Sequence, residues 1–114
     1  MKREALFEAM KNAVLGKSYD LSVAFVSSSR MKELNRTYRK INKPTDILSF
    51  PLSKKEGEIY ICISEAKREA KKFDRKINNF ISFLFIHGLV HLKGFDHGST
   101  MESIEARFRK KFGV

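Results

Sequence analysis

The chain of 114 residues is poor in the residues that staple, interrupt or span. Cysteine occurs once, at Cys62, which excludes an intramolecular disulfide and any zinc site built on paired cysteines. The two prolines, Pro44 and Pro51, leave no room for a proline-rich linker, and there is no internal repeat or low-complexity stretch. The longest uninterrupted apolar run is Ile59 to Ile63, far below the roughly 18–20 residues of a membrane span. The amino end carries Lys2, Arg3, Glu4, Glu8 and Lys11 and no apolar h-region. A cytoplasmic location with no membrane partner is therefore expected. Acidic residues are also scarce, 13 against 23 Lys+Arg, for a formal net charge of +10.

What is present is a soluble composition, 42% hydrophobic and 32% charged, suited to one domain over 1–114 with one core. The basic surplus is spread over both halves rather than gathered in a tail. A compact chain tolerates such self-repulsion most readily when its partner is polyanionic, so nucleic acid is the leading partner class.

Hydrophobic spacing places helices and strands in the order helix, strand, helix, strand, strand, and then three helices. The first helix covers 4–15, with Leu6, Met10, Ala13 and Val14 on one face and Gly16 as its stop. A strand at Leu21–Val26 precedes a helix capped by Ser29, with the stripe Met31, Leu34 and Tyr38. Strands at Asp46–Phe50 and Glu58–Ile63, joined through Gly57, predict a hairpin. Ser64 is expected to cap the next helix, with Ala66, Ala70 and Phe73 facing inward. Residues 77–92 are apolar nearly all round, the mark of a buried central helix, and Gly94 ends it. Ser99 and Glu102 form a capping-box pair for the last helix, whose inner side is Met101, Ile104, Phe108 and Phe112. The fold class is α+β (mixed α/β): a small three- to four-stranded mixed sheet covered by about five helices.

The three histidines all fall within eleven residues. His87 and His91 lie four apart on the central helix, on one face, and the turn at Gly94 allows His97 to approach them from the following loop. Three imidazoles with an open fourth position describe a catalytic zinc site, although imidazole also suits copper, nickel or iron. A lone histidine on an apolar helix is more often a satisfied core residue; three at this spacing are not. Metzincin peptidases share the spacing but place a glutamate base after the first histidine, where this chain has Gly88, so a peptidase is disfavoured. Asp96 can orient a ligand imidazole as an outer acceptor or cap the following turn. Asp46 suggests turn chemistry after Pro44, and Cys62 a buried strand position.

The segment His87-Gly-Leu-Val-His91-Leu-Lys-Gly-Phe-Asp-His97 resembles the signature of the YbeY family of metal-dependent endoribonucleases. Leu34-Asn35-Arg36-Thr37-Tyr38-Arg39 is similar to the family's LNxxYR segment, and Pro44-Thr45-Asp46-Ile47-Leu48-Ser49-Phe50-Pro51 to its PTDVLSFP segment. Gly57-Glu58-Ile59 stands at its GDI strand. Val90 and Lys93 depart from the pattern, Lys93 beside the site, and the chain lacks the family's first strand. The resemblance implies one Zn2+ per chain on His87, His91 and His97, and a catalytic role for Arg39 at the RNA phosphate. It implies single-strand-specific cleavage in ribosomal RNA maturation, at the 3′ end of 16S rRNA, and in ribosome quality control. The small ribosomal subunit, its proteins and an assembly GTPase are the implied partners of a monomeric enzyme.

Two basic clusters complete the reading. One, over 30–43, includes Arg36 and Lys40; the other, over 67–76, includes Lys67, Lys71, Lys72 and Arg75. Each is either a solvated helix face or a track for RNA phosphates, giving affinity and salt dependence without sequence choice. The expected reaction is phosphodiester hydrolysis by metal-activated water, with Arg39 sharing the negative charge. The alternatives are a non-catalytic ribosome-associated RNA-binding factor with structural zinc and, further off, a zinc peptidase.

Overall fold

The computed structural model describes residues 2–95 and 98–114. In chain order the elements are α1 (Arg3–Leu15), β1 (Asp20–Phe25), α2 (Ser28–Arg39), β2 (Ile47–Ser53), β3 (Glu56–Ile61), α3 (Ile63–Lys72), α4 (Ile77–Leu92) and α5 (Ser99–Phe112). This is the expected order, and among the described residues the sheet has three strands, arranged β1-β3-β2. β3 pairs parallel with β1, Val23 opposite Ile59, and antiparallel with β2, Ile47 opposite Ile61.

The period of two along each strand sorts the side chains onto two faces. Ile59 and Ile61, with Leu21, Val23 and Ile47, join the main core with residues of α1, α3, α4 and α5. Leu48, Phe50 and Tyr60 point the other way and cluster with Met31 and Leu34 of α2. The sheet is thus covered on both faces. Helix α4 lies at the centre of the main core, as an all-round apolar helix must, and Phe80, Ile81, Phe85, Ile86, Leu89 and Val90 are all buried. No helix among the described residues is long and apolar enough to cross a membrane.

Several local expectations are corrected. β2 runs on through Pro51 because it is an edge strand, where a missing N–H costs no ladder bond. Gly57 therefore lies inside β3, opposite Pro51, and the hairpin turn falls at Lys54 and Lys55. Ile63 begins α3 rather than ending β3, so Cys62 takes the N-cap position and no side chain caps that helix; Ser64 is already inside it. Ser27, not Ser29, caps α2, its hydroxyl accepting from the Arg30 N–H at 3.2 Å. Gly98 precedes α5 without a side-chain cap, so the Ser99–Glu102 box is not formed. Tyr38 and Phe73, assigned inward by helical spacing, are 64% and 61% exposed. Phe73 follows the last residue of α3, where the helical period no longer governs direction.

Candidate functional site

The site begins with spacing on α4. His87 and His91 occupy successive turns, and their ring centroids lie 4.7 Å apart with planes near perpendicular at 87°. Gly94, with φ +107°, takes the chain out of the helix in a conformation that a side chain would strain, its N–H donating to the His91 carbonyl at 2.9 Å. Gly88, between the histidines, faces the sheet: a Cβ there would stand 2.8 Å from Ser49 Oγ and 3.0 Å from Ile47 Cδ1. The missing side chain lets α4 rest on β2. A longer residue at 88 would be driven into the sheet, not toward the histidines.

α5 supplies a partner that spacing could not show. The buried Glu105, its side chain 8% exposed, lies 2.6 Å from His87 Nδ1. With a carboxylate as partner, Nδ1 is the donor, which leaves Nε2 as the nitrogen with a lone pair. A buried carboxylate behind an imidazole fixes both tautomer and ring orientation. The acceptor role weighed for Asp96 is thus filled at His87 by Glu105.

A cleft of about 520 Å³ opens over the histidines, and Arg39, Asp46, Ser49, His87 and His91 all line it. Three elements deliver them. α2 ends at Arg39 because Lys40 turns left-handed, φ 62°. The buried Asn35 then pins the departing loop, its amide donating to the Lys43 carbonyl at 2.8 Å. The loop returns as β2, with Asp46 at the cleft. Burial first, and then the nearby charge of Glu69, push the Asp46 carboxyl above its ordinary range. A second cleft, of about 600 Å³, shares Asp46, Ile47 and His87 with the first.

The remaining candidates separate. Lys93 is turned away from the cleft and donates to the Val14 carbonyl at the end of α1, 3.0 Å away. None of Arg36, Lys40, Lys67, Lys71, Lys72 and Arg75 lines the histidine cleft. Lys72 pairs with Glu69 at 3.0 Å, Arg75 donates to Asn79, and the others are exposed. Asp96 and His97 lie outside the described residues. Among the described residues no group of three or more His, Cys, Asp or Glu is placed to hold a metal. The donor set that is described fits one nonetheless: two imidazoles on one cleft, one of them oriented by a buried carboxylate, suit zinc or a similar borderline ion.

Comparison with known proteins finds a matching family, curated relatives and a solved structure. The family model described as Endoribonuclease YbeY matches residues 1–112. Proteins named Endoribonuclease YbeY are similar to the chain. The one from Caldicellulosiruptor bescii is 34% identical over 82% of this chain and 70% of its own length. The one from Sulfurimonas denitrificans is 34% identical over 96% of this chain and 82% of its own. That from Aliarcobacter butzleri reaches 42% identity over 68% of this chain, the match spanning 60% of the relative. Among solved structures, the solution structure of TM1509 from Thermotoga maritima superposes with a TM-score of 0.68 at 28% identity, covering 98% of this chain and 84% of that one.

Proposed function

The chain belongs to the endoribonuclease YbeY family, and we propose that it is a zinc-dependent endoribonuclease that cuts single-stranded ribosomal RNA in the cleft lined by Arg39, His87 and His91. The observation that carries the reading is the convergence itself: the end of α2 and one face of α4 bring a guanidinium and two imidazoles to one cleft.

Each residue has a task. Arg39 binds and orients the phosphodiester, its planar donors matching two phosphate oxygens and the charge that grows on them. His87 and His91, with His97 as third ligand, hold the metal. When bound, that ion supplies Lewis-acid polarisation of the phosphate and activation of water. Glu105 keeps His87 in the tautomer that presents Nε2. Asp46 lines the cleft beside Arg39 and the histidines, its carboxyl raised above the ordinary range by burial. The direction of Gly88 supports a nuclease over a peptidase, because no base can reach the cleft from that position.

Family membership supports the finer reading: action at the 3′ end of 16S rRNA and in ribosome quality control, in the cytoplasm, as a monomer. The small ribosomal subunit, its proteins and an assembly GTPase are the partners. The decisive experiment combines metal analysis with cleavage of single-stranded RNA. Purified protein should hold one zinc per chain and cut RNA until a chelator is added. His91→Ala should lose metal and stability together, since ligation is coupled to folding. Stoichiometric zinc without cleavage, even with ribosomal partners, would favour a non-catalytic RNA-binding factor; casein hydrolysis would favour a peptidase.

A further inference from the structure

The second cleft has a wall that phosphodiester hydrolysis does not use. Phe73, exposed at the end of α3, stacks on Phe80 with centroids 5.8 Å apart and planes 18° apart. Phe80 in turn stacks on Phe83, 5.6 Å and 15°. The guanidinium groups of Arg75 and Arg109 lie 4.6 Å and 5.2 Å from the Phe83 ring centroid and brace the far end of the stack. The exposed ring is also fixed in place. Asp74 turns left-handed with φ 53°, and the Arg75 N–H donates to the Ala70 carbonyl at 2.9 Å, so the backbone closes around Phe73.

Charge divides the work of the two clefts. The second is lined by Asp46, Glu69, Glu102 and Glu105, with Arg109 the one Lys or Arg among its described lining residues and Lys72 paired to Glu69 at 3.0 Å; acids still predominate, a poor setting for a phosphate. The first has Asp46 as its only described acid and holds Arg39. Carboxylates accept hydrogen bonds from the exocyclic amino groups of bases, and aromatic faces stack on bases that are not paired.

We propose that the second cleft is a nucleobase subsite: an unpaired base bearing an exocyclic amino group stacks on Phe73, with its amino group toward Glu69 or Glu102, while the adjoining phosphodiester lies against Arg39 in the first cleft. His87 and Asp46, which line both clefts, stand where base and backbone part. The subsite rests on the RNA-cutting reading and adds to it a cause for single-strand selectivity, because a base held in a duplex cannot reach the ring.

The test uses the metal-loaded full chain and a short single-stranded RNA analogue, carrying phosphorothioate linkages that slow attack at phosphorus while keeping the charge, and 2-aminopurine. Stacking on Phe73 should quench the fluorescence. Phe73→Ala should remove the quench and weaken binding about tenfold, within the range measured for one stacked base. Phe73→Trp should keep both, and the unfolding midpoint of the exposed-site variants should match the parent's. An abasic analogue should bind parent and Phe73→Ala alike. If Phe73→Ala binds and quenches as the parent does, the subsite is wrong and the nuclease reading stands. If the parent neither binds nor cuts single-stranded RNA, the nuclease reading fails and takes the subsite with it.

Discussion

Asp46 lies where the two clefts meet, and its environment gives it a measurable signature. Burial and then the charge of Glu69 raise its pKa above the ordinary value of 3.8. The folded protein therefore binds this proton more tightly than the unfolded chain does. The stability tied to it is present at low pH and is lost as pH climbs from the ordinary value through the raised one. Asp46→Asn removes that loss. In chelator, urea unfolding should show no gain for the variant below pH 3.8, a gain that grows through the interval, and a plateau above it. A gain of constant size at every pH would show that proton linkage is not its origin. At this scale the sequence is uneven in what it reveals. His87 and His91 are legible because few side chains bind metals and spacing of four is diagnostic on a helix. Glu105 is not, because it meets His87 only once α5 has docked, eighteen positions away. Phe73 is not legible either, because the period of Ala66 and Ala70 stops at Lys72, one residue before it.

Helix α4 and strand β2 hold the site through a contact that reverses an ordinary preference. In an isolated helix, replacing glycine by alanine stabilises by about 1 kcal/mol. At Gly88 the new methyl would stand 2.8 Å from Ser49 Oγ, 3.0 Å from Ile47 Cδ1 and 3.2 Å from Ile59 Cδ1, in a packed interior. Overpacking of this kind costs about 1–3 kcal/mol. Gly88→Ala should therefore lower stability by roughly that amount, and it should slow RNA cleavage further by lifting His87 from its place. A raised urea midpoint would show that α4 has room to spare. Element order was readable because periods of two and 3.6 survive any tertiary context. Caps and strand ends were not. Several serines compete for each helix start, and whether a strand may continue through Pro51 depends on its being an edge, which is a property of the assembled sheet.

For the whole molecule, the surplus of +10 makes salt dependence the test of whether the basic helix faces meet RNA phosphates. Arg36 and Lys40 flank Arg39 at the exposed end of α2, while Lys67 and Lys71 lie on α3. Each single-strand phosphate contact contributes about −0.7 to the slope of log affinity against log salt. Arg36→Gln with Lys40→Gln should flatten that slope by about 1.4, leaving the folded state untouched. An unchanged slope would remove α2 from the track. A further consequence belongs to inheritance rather than chemistry. His87 and His91 ride on α4, which is enclosed by the sheet and by α1, α3 and α5, whereas Phe73 sits on an exposed turn. A lineage can change the turn without disturbing the core, but can hardly change α4 at all. With the proposed base subsite on that turn, base preference can change from descendant to descendant while the face of α4 that carries His87 and His91 is held by its packing.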